Sequence, residues 1–293
     1  MRFAYSPGAI AFRMFNYGLL TAVALLCVLP LVHIFAVSLS SAEAVNGNEV
    51  GLWPVDFSLG AYRASFDAPF LSALNVTLQR ITLGTVINLV FTFLLAYPLS
   101  KESDRFPYRN VYVWALVFTM LFSGGLIPTY ILAKQLHLIN TLWVLVLPSA
   151  VNVFYIVLLL NFFRQLPKEV EESALIDGAS YFQSMYKIYL PLSKPVVATL
   201  LLFCVVTHWN AWFDGIMFIN DTDKYPLQTY LQLLLQKSKS VLSLEDAKMA
   251  AEDAAKTSIY GAKMFLSLLP IIALYPFLQK HFTEGIVIGA VKG

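Results

Sequence analysis

Long apolar runs alternate with short polar links along most of this chain. Six runs stand out: Phe15–Leu39, Leu71–Leu99, Val111–Ala133, Thr141–Phe163, Pro195–Ile219 and Ile259–Leu278. Each is long enough to cross a bilayer, which takes about 20 residues of helix. None shows the period-two alternation of a barrel strand, so the pattern predicts helices. Prolines and glycines inside the runs, such as Gly124, Gly125, Pro128 and Pro148, do not argue against this. Neighbouring helices satisfy the backbone groups that they free. The expectation is an all-α polytopic membrane protein, one domain over residues 1–293 with six spans.

Two links carry more order than a connector needs. In residues 164–194, Pro167 suits the start of a short helix, "KEVEESALI", with its acids where the helix dipole favours them. Asp177-Gly178 is a turn signal. Ser180 followed by Gln183 forms a capping box for a second helix, which Pro191 and Pro195 should end. The link at 220–258 holds "YPLQTYLQLLLQ", apolar at helical spacing, and the alanine-rich "LEDAKMAAEDAAK". From pattern alone, both links are also consistent with solvated helical loops.

Composition agrees with the membrane reading: 58% of residues are hydrophobic and 13% charged. The net charge of +2 says little, but its placement gives an orientation. Arg2 and Arg13 precede the first span; Lys101, Arg105 and Arg109 fill the second link; Arg164, Lys168, Lys187 and Lys194 fill the fourth; Lys280 and Lys292 follow the last. All fall on one side, which the positive-inside rule makes cytoplasmic, with both termini. The first run is too long for a signal h-region of about 7–15 residues and is expected to be retained.

Candidate chemistry is sparse. There is no phosphate-binding G-x-x-x-x-G-K-[ST], no H-E-x-x-H, and the four histidines are scattered. Cys27 and Cys204 lie in apolar runs, which argues against a disulfide or thiolate metal site. No catalytic residue and no metal site is expected, and nothing points to nucleic acid. Intramembrane charge is costly and is a functional candidate by default. Arg80, Asp214 and Lys263 all fall in the outer half of their spans. With Asn210 they could line a mildly cationic passage; equally, the bases could snorkel, or Asp214 could pair with one of them.

One gapped motif sharpens these readings. Glu172-Ser173-Ala174, three residues, Gly178, nine residues, Ile188, one residue, Leu190-Pro191 fits the E-A-A pattern, with Ser173 in place of the first alanine and Asp177-Gly178-Ala179 completing it. It resembles the cytoplasmic coupling loop of permease subunits in type I binding-protein-dependent ABC importers. "GGLIPTYILAKQLHLINTLWVLVLPSA", "HWNAWFDGIMFI" and the tail "TEGIVIGAVKG" resemble the oligosaccharide branch, being similar to maltose-type second permease subunits and to those for acidic polyuronates such as alginate.

The resemblance implies the type I permease fold in a bacterial inner membrane. It implies a heterodimer with a homologous second permease subunit, two ATPase subunits that bind ATP and Mg, and a periplasmic solute-binding protein. Its cargo would be oligosaccharides, acidic ones foremost. Glu172, Ser173, Ala174, Asp177, Gly178, Ala179, Ile188 and Pro191 would meet the ATPase, as would Gly285, Gly289 and Lys292 of the tail. Leu231, Gln236, Lys239, Glu245 and Lys248 in the 220–258 link would meet the binding protein. The rival is an ion-coupled secondary transporter, which predicts repeated halves and buried acids near mid-membrane. Only Asp214 approaches this, and it sits too far out.

Overall fold

The computed structural model describes residues 7–241 and 256–274. Among them there are helices and no strand. The main elements are α1 (Pro7–Ser38), α2 (Ala68–Ser100), α3 (Arg109–Leu121), α4 (Leu126–Gln135), α5 (Val153–Phe163), α6 (Lys168–Ile176), α7 (Tyr181–Leu192), α8 (Lys194–Asn210), α9 (Phe213–Phe218), α10 (Leu227–Val241) and α11 (Lys256–Leu274). Three of them, α1, α2 and α11, are long and apolar enough to cross a membrane unaided, and the number of spans rises to six if each bent pair counts as one.

The expected third, fourth and fifth spans are therefore not single rods. The run 111–133 breaks into α3 and α4, which meet at 111°. The cause is Gly125, whose φ of +86° lies in a region closed to most L-residues. In the run 141–163, two 3₁₀ turns over Leu142–Leu145 and Leu147–Ser149 precede α5, with a 47° bend. Asn152 then caps α5 by accepting the Tyr155 N–H at 3.3 Å. The run 195–219 is α8 followed by extended Ala211 and the short α9. Sequence periodicity missed these breaks because each half stays apolar.

The described chain forms two compact units. In the first, residues 7–70 with 231–241 and 256–270, the end of α1 packs on α11, with the Phe35 and Phe265 rings 4.6 Å apart. Ser38 Oγ meets the Tyr62 hydroxyl at 2.8 Å. Asp67 takes two donors: the Phe70 N–H at 3.0 Å, which starts α2, and Lys263 Nζ at 2.6 Å.

The second unit, residues 71–230 with 271–274, has an apolar core at the C-terminal end of α2, formed by Ala96, Leu99, Ile156, Leu159, Phe163 and Leu200 among others. Further up, the buried face of α2 changes character. Thr77, Arg80, Thr85, Asn88 and Thr92 are all buried there at helical spacing. A second apolar cluster joins Ala133, Val144, Leu145, Phe218 and Ile219. Asn140, at φ +63°, ties this cluster to the segment after α9: its N–H donates to the Phe218 carbonyl and its Oδ1 accepts from Asn220 and Asp221.

Candidate functional site

The link at 164–194 folds as two helices around a tight turn. α6 starts directly after Pro167, with Glu169 and Glu171 in its first turn. It ends in a Schellman arrangement: the Ala179 N–H reaches the Ala174 carbonyl at 2.9 Å, and the Gly178 N–H reaches that of Leu175 at 3.1 Å. Gly178 sits at φ +84°, which this motif requires, and a Cβ added there would meet nothing within 4 Å. Ser180 and Gln183 form both halves of the expected capping box, at 3.2 and 2.9 Å.

α7 ends between Pro191 and Pro195, where its sequence places the stop, and it runs through Pro191 to get there. A π turn over Met185–Tyr189 carries the Leu190 N–H to the Met185 carbonyl, and the helix continues to Leu192. The wider turn accommodates a proline that has no N–H to donate. At Ser193 the chain bends by 84° into α8.

Of the residues expected to contact an ATPase, Glu172, Ser173, Asp177, Gly178 and Pro191 are exposed, and Ala174, Ala179 and Ile188 half-buried. Ile188 packs against the apolar core. The turn and its flanks also expose apolar side chains that the motif did not single out: Ile176 at 86%, with Tyr181 and Phe182 beside it. An isoleucine this open in a structured turn marks a surface suited to a partner.

Beneath that surface lies a carboxylate that the sequence reading passed over. Glu171 is 4% exposed. It accepts from Lys101 Nζ at 2.5 Å, the Tyr97 hydroxyl at 2.7 Å and the Tyr189 hydroxyl at 3.1 Å. Burial alone would raise its pKa, but the hydrogen bonds from Lys101 and Tyr97 hold the carboxyl below its ordinary value. Lys101 Nζ also lies 3.9 and 4.2 Å from the centres of the Tyr97 and Tyr189 rings. Two exposed pairs, Arg105–Glu172 and Lys168–Glu102, complete the grip of the 101–109 link on α6. The signal available in the sequence was the apolar-face position of Glu171 on α6; as one of three glutamates near the start of α6 it is accounted for by the helix dipole alone.

Toward the N-terminal end of α2 a different polar group forms. Arg80, 3% exposed, pairs with Asp214 through both terminal nitrogens, and Nη1 also donates to the Ala211 carbonyl at 3.3 Å. Asn88 Nδ2 donates to the carbonyls of Ser149 and Ala150, at 2.6 and 3.0 Å. Its Oδ1 must then accept, so His208 Nε2, 3.0 Å away, carries the proton. Each side chain serves carbonyls released where another helix breaks, one before α9 and one before α5. In a lipid setting such carbonyls need an internal partner.

Of the alternatives open for these charges, the contacts favour pairing over a mildly cationic passage. Arg80 is matched by Asp214, and Lys263, equally buried, by Asp67. Neither is a free positive charge. Asn210 is exposed, with its amide on the Val206 carbonyl at 3.0 Å. Leu231 is 5% exposed, so its side chain packs inward. Gln236 is exposed on α10. The side chain of Lys239, and Glu245, Lys248, Gly285, Gly289 and Lys292 altogether, lie outside the described residues. No group of metal-ligating side chains occurs among the described residues.

Comparison with known proteins gives concordant matches. Residues 70–288 match the family described as binding-protein-dependent transport system inner membrane component. Protein LplC of Bacillus subtilis (strain 168) is 41% identical over 283 residues, covering 96% of this chain and 95% of that protein. The polygalacturonan/rhamnogalacturonan transport system permease protein YtcP of the same organism is 38% identical, covering 96% and 98%. One chain in the crystal structure of a bacterial ABC transporter involved in the import of the acidic polysaccharide alginate superposes with a TM-score of 0.86 at 33% identity, over 95% of this chain and 99% of that one.

Proposed function

The chain belongs to the family of binding-protein-dependent transport system inner membrane components, and from that premise we propose that it is the permease subunit of an importer for acidic, uronate-type oligosaccharides. It is a non-catalytic membrane component, and membership in this family removes the ion-coupled alternative. In our reading, it pairs with a homologous permease, two ATPase subunits that bind ATP and Mg, and a periplasmic binding protein. The lysine and arginine distribution supports a cytoplasmic place for both termini and the 164–194 loop.

The observation that carries this reading is the capped turn between α6 and α7. It is capped on both sides, exposed and carries Ile176 at its edge, features that suit a docking element for a separate ATPase. The acidic character of the cargo is supported by the polygalacturonan and alginate transporters among the relatives. It is not carried by Arg80 or Lys263, whose charges are matched; Asn210, exposed at the end of α8, is the side chain proposed to meet a sugar. Gln236 and the residues that follow α10 are proposed to meet the binding protein.

The test is a complex reconstituted from this chain, its second permease, ATPase and binding protein. Oligogalacturonate and oligoalginate should stimulate ATP hydrolysis and maltotriose should not. Stimulation by maltotriose alone would overturn the acidic cargo. Uptake that persists without ATP would overturn the importer. Gly178→Trp should leave membrane insertion intact, since a Cβ at 178 meets open space within this chain. It should abolish stimulated hydrolysis, because a side chain at φ +84° strains the turn and its bulk falls on the docking face.

A further inference from the structure

The loop at 164–194 lies in sequence between α5 and α8 and shares an apolar core with both, yet the donors to its buried carboxylate lie on neither. Glu171 of α6 accepts from Tyr97 on α2 at 2.7 Å, from Lys101 just beyond α2 at 2.5 Å and from Tyr189 on α7 at 3.1 Å. The Tyr97 and Tyr189 rings meet edge to face at 5.0 Å, and Phe163 stands edge-on to Tyr189 at 5.1 Å. A carboxylate sealed among three donors cannot exchange them without passing through a buried unpaired charge. The two halves of the loop and the end of α2 therefore move together. The covalent join to α8, by contrast, is a sharp bend, 84° at Ser193.

We infer that Glu171 is a positioning residue through which displacement of the loop passes to α2, in addition to the helices that flank the loop in sequence. Further along, α2 holds the carbonyls of Ala211 through Arg80 and those of Ser149 and Ala150 through Asn88. A shift of α2 thus reaches the breaks before α9 and before α5 together. This inference rests on the importer reading and names how the loop acts within it.

The test uses the complete reconstituted importer and reads sugar taken up per ATP hydrolysed. A purely structural defect lowers the number of working complexes and leaves that ratio unchanged. Glu171→Gln combined with Lys101→Met removes both buried charges while keeping an acceptor for the tyrosines. The double variant should assemble with wild-type thermal stability and show at least a ten-fold lower ratio. A wild-type ratio overturns the inference and leaves the importer reading standing. If the unaltered complex shows no ATP-driven uptake, both fall. Should the double variant fail to assemble, Tyr189→Phe carries the test. It keeps the ring beneath Lys101 and removes one hydroxyl, and should lower the ratio about three-fold; an unchanged ratio overturns the inference.

Discussion

Arg80 and Lys101 invite comparison. Both are cations belonging to α2 or the residue after it, Arg80 buried and Lys101 nearly so, and both face a carboxylate from another helix, Asp214 and Glu171 respectively. What their surroundings add is different. Arg80 has a donor left over, and it goes to the main chain at a helix break, the Ala211 carbonyl. At Lys101 it is the carboxylate that is shared, among side chains of three segments. One arrangement braces the backbone of a span; the other joins a loop to a span. The lesson is that the same ion pair stabilises a fold or links moving parts according to what its remaining hydrogen bonds hold. Loss of the first should appear as instability, and loss of the second as poor coupling.

The largest expected effect breaks the comparison at Arg80. Asp214→Ala strands a guanidinium that is 3% exposed, and removing one partner of such a pair costs about 3–5 kcal/mol. The thermal midpoint of the purified complex should fall well below wild type. The double change Arg80→Met and Asp214→Leu should recover most of the loss. A midpoint unchanged by Asp214→Ala would mean that Arg80 is hydrated and the seam is not dry.

A smaller loss is expected at the next turn of the same seam. Gly84 lies against His208: a Cβ there would fall 2.3 Å from Nε2, the atom that serves Asn88. Gly84→Ala must push the imidazole aside, and overpacking of this kind costs about 1–3 kcal/mol. The same midpoint measurement applies. Uptake per ATP should be preserved in complexes that remain folded, because the Asn88 amide nitrogen keeps the Ser149 and Ala150 carbonyls when the imidazole is displaced, whereas the Glu171 end loses its link to the loop. An equal drop in coupling would erase the distinction.

Much of the loop was legible beforehand, and much of the seam was not. The Schellman turn at Gly178 and the capping box at Ser180 are local, fixed by residues within six positions of each other, and propensity rules read them directly. The breaks at Phe122–Gly125 and around Ala211 were not read, because flanking halves that both remain apolar carry no periodic signal. Glu171 was missed for the opposite reason. Its neighbours in sequence are charged, but its partners Tyr97, Lys101 and Tyr189 are 74, 70 and 18 positions away. Arg80 was noticed as an intramembrane charge. Its neutralisation by Asp214 spans 134 positions, so pairing and free cation looked alike.

The pH dependence sharpens the Glu171 side. Its folded pKa is depressed: burial opposes ionisation, but Lys101 and Tyr97 outweigh it. A depressed carboxyl contributes stability that is fully present above its unfolded value of about 4.3, and that is lost as pH falls through the lower folded value. The difference in thermal midpoint between wild type and Glu171→Gln should therefore be flat from pH 8 to 5 and shrink only in stronger acid. A difference that fades between pH 7 and 6 would mean that burial wins and the carboxyl is raised.

The smallest effect concerns the exposed start of α7, on the same loop but away from the buried anchor. Ser180 and Gln183 satisfy two helix-end donors, and replacing such a cap by alanine costs about 1 kcal/mol. In Ser180→Ala the loss should stay local. Amides of Tyr181 to Ser184 should exchange faster, because the first turn frays, while the thermal midpoint and the coupling ratio stay near wild type. The reason lies in the geometry: Tyr189 is two turns further along α7, and its contacts to Glu171 and Phe163 do not pass through the cap. If coupling falls as far in Ser180→Ala as in Tyr189→Phe, rigidity of the whole loop, rather than the carboxylate beneath it, is what transmits movement to α2.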